Sequence, residues 1–193
     1  MTLIEGTNCG FVTVAPTEDP EGYEDVIDYK AWAGKFVAPE GALKVTEIGW
    51  WCNTVSEAAN FEVGIYTHNI GDNNPEAVVG MNQTNPKGTD AGWKRSTGLD
   101  ISITPGETYW IVVQVDDTAT PTNAVDYSPS SLKEDIKTNA VQLTDPWGVS
   151  NTTYAAMVGF YALYETAAPG AKQSLAKISE EGPSGDDGPG LFK

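Results

Sequence analysis

Short runs of β-branched and aromatic residues recur along this chain at 10–15-residue spacing, set off by polar and turn-forming residues. No amphipathic helical stretch separates them. That pattern most constrains the fold, because it leaves no crossover helices to build a parallel sheet and favours an antiparallel β-sandwich. The expected strands are Asp28–Val37, Val45–Cys52, Phe61–Tyr66, Ala77–Met81, Gly92–Ser96, Leu99–Ile103, Thr108–Val115, Ala124–Ser128 and Met157–Tyr164. Thr108–Val115 (Thr-Tyr-Trp-Ile-Val-Val-Gln-Val) is apolar on both faces and so reads as a central strand. Its Tyr109, Ile111, Val113 and Val115 share one face, with Trp110, Val112 and Gln114 on the other. His68–Pro75 reads as a polar loop, Asp116–Asp126 as a long polar connection, and Ser130–Asn139 as the one helix-like window.

Composition shifts divide the chain into three. Residues 1–29 form a polar N-terminal arm carrying Glu18, Asp19, Glu21, Glu24, Asp25 and Asp28, and residues 30–166 form the sandwich. Residues 167–193 hold Gly-Pro-Ser-Gly-Asp-Asp-Gly-Pro-Gly and form a tail that is flexible or bound to a partner. In that tail Leu175, Ile178, Leu191 and Phe192 are the candidate interface residues, able to enter a groove on a neighbouring subunit.

Charge removes several partners. With 27 acidic and 11 basic side chains, the net charge of −16 repels nucleic-acid phosphates and anionic membrane surfaces. No 18-residue apolar run is present to span a membrane. The N-terminal Met-Thr-Leu-Ile-Glu-Gly-Thr-Asn-Cys-Gly lacks the basic and apolar regions of a Sec signal peptide. Cys9 and Cys52 stand 43 residues apart, compatible with two buried thiols or with one bridge.

Catalytic constellations are not visible. His68 is the only histidine, it lies in a polar stretch, and no Gly-x-Ser-x-Gly elbow accompanies it. One His and two dispersed Cys do not make a protein zinc site, and no Walker-type loop occurs. Oxygen-rich groups suit calcium better: Asp72-Asn73-Asn74, and Asp116-Asp117 after the central strand. Asp72, Asn74, Asp116 and Asp117 are therefore the candidate ligands, with a solvated acidic face as the plain alternative.

The tryptophans point to binding. Trp50 and Trp51 are adjacent, and neighbouring side chains on a strand face opposite ways, so one of the two must look outward. An outward indole suits a sugar ring or a protein interface. Trp147, in Asp-Pro-Trp-Gly, reads as an exposed loop contact. Trp50, Trp51 and Trp147 are the candidate ligand-binding residues.

Lys35–Pro39, Val45–Ile48, Phe61–Tyr66, Asn74-Pro75, Leu99–Ile101 and above all Pro105-Gly106-Glu107-Thr108-Tyr109-Trp110-Ile111-Val112 resemble jelly-roll modules of the choice-of-anchor and carbohydrate-binding type. Such modules recur in bacterial surface and phage virion proteins. The resemblance implies a jelly-roll-like, all-β antiparallel sandwich and transfers no catalytic residue. An extracellular-style sandwich without an export signal fits a virion protein made in the cytoplasm and released by lysis. The first expectation is thus a non-enzymatic virion structural or decoration protein, assembling with itself or with other virion proteins and contacting glycans. The alternative is a secreted or cell-surface carbohydrate-binding module. A small glycoside-active enzyme is the third reading, for which no acid pair is singled out.

Overall fold

A computed structural model describes the backbone at residues 9–10, 24–26, 30–52, 58–116, 120–122, 124–126, 134–138, 140–150, 152–154 and 156–166. Side chains are described for residues 30–52, 58–116, 140–150 and 159–166. Asp117 and the tail residues Leu175, Ile178, Leu191 and Phe192 lie outside this set.

Every regular element described is a strand. In chain order they are β1 (Cys9–Gly10), β2 (Glu24–Val26), β3 (Lys30–Val37), β4 (Ala42–Cys52), β5 (Asn60–Asn69), β6 (Asn74–Pro86) and β7 (Gly92–Ser102). Then follow β8 (Thr108–Val115), β9 (Thr120–Thr122), β10 (Ala124–Asp126), β11 (Glu134–Thr138), β12 (Thr152–Tyr154), β13 (Ala156–Val158) and β14 (Phe160–Thr166). Two antiparallel sheets dominate, ordered β1-β14-β4-β7 and β12-β11-β3-β8-β5-β6. Two short ribbons, β2-β9 and β10-β13, accompany them. The molecule is an antiparallel β-sandwich, as the strand spacing requires.

The central strand explains the arrangement. β8 is held between β3 and β5, and all its residues after Thr108 are buried, as a run apolar on both faces demands. Its Tyr109, Ile111, Val113 and Val115 enter the core between the sheets, against Val45, Ile48, Trp50 and Phe160 of the smaller sheet. Its Trp110 and Val112 face the other way, into a second cluster with Ala31, Ala33, Tyr66, Leu143 and Trp147. The irregular segment 140–150 is therefore a strap laid over the outside of the six-stranded sheet.

Three expectations change. Ser130–Asn139 is not helical where described: Glu134–Thr138 is β11, paired residue by residue with β3 from Lys30 to Gly34. His68–Pro75 is mostly strand, since β5 continues to Asn69, β6 starts at Asn74, and only a four-residue turn separates them. Gly92–Ser96 and Leu99–Ile103 belong largely to the single strand β7, whose register against β4 slips between Val45 and Glu47. Gly98 sits in that slip with φ of 71°, where a β-bulge uses glycine. The polar arm contributes strands of its own, since β1 and β2 pair with β14 and β9.

Candidate functional site: an aromatic face on the smaller sheet

Alternation along β4 splits the tryptophan pair. Trp50 is buried in the inter-sheet core, its ring edge-on to Phe61 at 5.7 Å. Trp51 therefore turns to the outer face of the smaller sheet, where it is half-buried. Cross-strand register puts Trp93 opposite Trp51, Arg95 and Tyr161 opposite Gly49, and Thr97 and Leu163 opposite Glu47.

These side chains meet in a defined order. Trp51 and Trp93 pack edge-to-face at 5.4 Å, and Trp93 packs edge-to-face on Tyr161 at 5.0 Å. Trp93 and Tyr161 stand on strands that flank β4, so their rings can meet only by crossing it. Gly49 makes the crossing possible: a Cβ there would lie 2.1 Å from Tyr161 Cε1. Each edge-to-face pair contributes about 0.5–1.5 kcal/mol beyond its buried area; Tyr161 is fully buried at the base of the row, and Trp51 and Trp93 are its half-buried members.

A polar end closes the row. The Tyr161 hydroxyl donates to Glu47 Oε1, and Arg95 Nε stands 3.9 Å from the same oxygen. The Glu47 side chain is 13% exposed and that of Arg95 is 47% exposed. The carboxylate is thus turned into the sheet and the guanidinium outward. Sequence reading identified Trp51 here but missed Trp93, Tyr161, Gly49 and Arg95. The available signal was the same two-residue alternation, usable only once strand register was known.

Trp147 belongs elsewhere. It lies in an irregular segment, as expected, but its ring is 1% exposed and so offers no surface contact. It packs edge-to-face on Tyr66 at 5.5 Å, its indole Nε1–H donates to Ser150 Oγ, and its backbone N–H donates to the Glu76 carbonyl. Trp50, equally buried, is likewise a core residue. The strap around Trp147 is pinned by polar bonds: the Tyr66 hydroxyl donates to the Thr144 carbonyl, and Glu62 accepts from the Leu143 N–H at 2.7 Å. Burial, then the charges of Asp145 and Glu62, push the Tyr66 phenol well above its ordinary range.

The acidic candidates do not converge. Asp72 lies in the β5–β6 turn, where its carboxylate accepts from Asn69 Nδ2 at 3.3 Å, and Asn74 opens β6. Asp116 sits beside Asn60, accepting from its Nδ2 at 3.3 Å. Asn60 and Asn69 are the two ends of the ten-residue β5, which separates the two groups by about 30 Å. Among the described residues no group of three or more His, Cys, Asp or Glu side chains is placed to hold a metal ion. His68 is on β5 rather than in a loop, and its Nδ1 accepts from Trp110 Nε1 at 3.1 Å. Because an indole only donates, His68 Nδ1 serves as the acceptor of this bond. Beside it a cleft of about 230 Å³ is lined by Thr67, His68, Ile70, Glu107, Thr108 and Tyr109.

No protein-family model and no curated protein matches the chain. Among solved structures it is similar to one of the cysteine protease and lectin-like domains of Cwp84, a surface layer associated protein of Clostridium difficile. The TM-score is 0.50 at 12% identity, over 78% of this chain and 37% of that one. At that identity the likeness is one of fold, an all-β sandwich.

Proposed function

We propose that this chain is a non-catalytic carbohydrate-binding module, and that its site is the outer face of β4, β7 and β14. The observation that carries the reading is the pair Trp51–Trp93, half-buried on the outer sheet face with rings 5.4 Å apart and backed by the fully buried Tyr161, 5.0 Å from Trp93. Sugars present apolar C–H faces that pack on indoles, and a shelf already ordered before binding loses little entropy when a ligand arrives. The fold shared with a structure that includes lectin-like domains of a surface layer associated protein supports the same reading and, with it, a cell-surface or extracellular setting. Two features support binding without catalysis. Glu47 is engaged by Tyr161, and the sole histidine lies on the other sheet.

This reading takes precedence over a virion role. The case for assembly rests on residues 167–193, outside the described set, whereas the aromatic face lies within it. The test is affinity electrophoresis through gels containing a panel of polysaccharides. Wild-type protein should be retarded by at least one of them. Trp51→Ala and Trp93→Ala, shown folded by circular dichroism, should lose that retardation. Absence of retardation by every polymer, or retention in both folded variants, would overturn the proposal.

A further inference from the structure

We infer that the saccharide taken by this face carries a carboxylate, as a uronic acid does, and that Arg95 reads it. The inference rests on the carbohydrate-binding reading above and adds the ligand's charge. Arg95 is the only arginine in the sequence. It stands on the same face of β7 as Trp93, two residues on, which places it about 7 Å along the strand. A carboxyl group on the rim of a pyranose packed on Trp93, together with one hydrogen-bond length to the guanidinium, covers that distance.

The guanidinium is available for such a contact. Its nearest partner among the described residues is Glu47, and 3.9 Å from Nε is too long for a hydrogen bond. The guanidinium is a planar fork of five N–H donors, and with its side chain 47% exposed it stands at the solvent end of the row. A carboxylate matches that fork with two parallel charge-assisted bonds, which a sugar hydroxyl does not.

Two opposing charges need weighing. Glu47 is close, but its carboxylate is largely shielded and already accepts the Tyr161 hydroxyl, so the outward charge at this spot is positive. The net charge of −16 opposes an anionic ligand at long range. At physiological salt that field is screened beyond about 8 Å, and the adjacent guanidinium governs the contact.

The experiment compares polygalacturonate, alginate and hyaluronate with their carboxyl-reduced, neutral counterparts, and adds dextran sulfate. Affinity is measured by calorimetry on wild type, Arg95→Gln, Arg95→Lys and Trp51→Ala. At least one uronate should bind, its carboxyl-reduced form should bind about tenfold or more weakly, and Arg95→Gln should erase that difference. Arg95→Lys should restore only part of it, since an ammonium keeps the charge and loses the fork. Equal affinity for a uronate and its reduced form, with Arg95→Gln silent and Trp51→Ala inactive, would overturn the carboxylate and leave the binding module standing. Tighter binding of dextran sulfate than of any uronate would replace the carboxylate with a sulfate. No binding by any polymer would remove both.

Discussion

Tyr161 lies across Gly49, so closely that a Cβ on the glycine would stand 2.1 Å from the tyrosine's Cε1. The contact links three strands at once. Tyr161 on β14 covers the bare backbone of β4, reaches Trp93 on β7 with its ring, and reaches Glu47 on β4 with its hydroxyl. Gly49→Ala should force the ring aside and break both contacts. The expected cost is about 1–3 kcal/mol, read from urea denaturation, with a changed near-UV circular dichroism spectrum as the aromatic row is disturbed. A variant with wild-type stability and spectrum would show that the ring moves freely and that the shelf is not rigid.

Ile111 tests the core. It is fully buried in β8, between β3 and β5, and faces the smaller sheet. Ile111→Ala should destabilise the protein by ~2–5 kcal/mol, the usual cost of a large cavity. A denaturation midpoint worth less than about 1 kcal/mol of change would mean that the sheets do not close around this residue.

What the sequence disclosed divides along the line between local and non-local causes. Thr108–Val115 reads correctly as a strand to its last residue, because an apolar run on both faces has few other homes. The split of Trp50 and Trp51 follows from two-residue alternation alone. Glu134–Thr138 does not read as a strand, because its polar residues carry no period and pairing with β3 supplies its order. β6 shows the same effect at a sheet edge, where Glu76, Ala77, Gln83 and Thr84 face solvent and the apolar signal fades. Gln114, which reads as the polar end of an apolar face, is fully buried opposite Glu62. The aromatic face was half legible: Trp51 announced itself, while Trp93 and Tyr161 reach it only through register and through the gap that Gly49 leaves.

Tyr66 gives the fold a dependence on alkaline pH. Its folded pKa is raised above the ordinary value of 10.0, chiefly by burial. As pH climbs past that value, unfolded chains lose the phenolic proton while folded chains keep it. The unfolded state then binds fewer protons, so stability falls with rising pH. Tyr66→Phe should cost about 1 kcal/mol near neutrality by taking the donor from the Thr144 carbonyl. Above pH 10 the variant should lose stability less steeply than wild type. Parallel stability curves for the two proteins across that range would show that the phenol ionises in the folded state as readily as in the unfolded one.

Trp147 separates packing from recognition. Its ring is buried against Tyr66 beneath the strap, on the six-stranded sheet, whereas the proposed saccharide face belongs to the smaller sheet. Trp147→Ala removes the largest side chain of the strap and leaves a void over Tyr66 and Val112. The expected loss is ~3–5 kcal/mol, in the range for truncating a buried aromatic residue. The strap keeps its other ties, with Val78 N–H donating to Asp145 Oδ1 and Leu143 N–H to Glu62, so the folded fraction should retain its sheets. Saccharide affinity measured on that fraction should equal wild type, in contrast to Trp51→Ala, which should lose binding at modest cost in stability because its ring is only half-buried. A melting curve for each variant, set beside its gel retardation, provides the comparison. Loss of binding in folded Trp147→Ala would place the ligand on the strap side of the molecule and move the site away from the aromatic row.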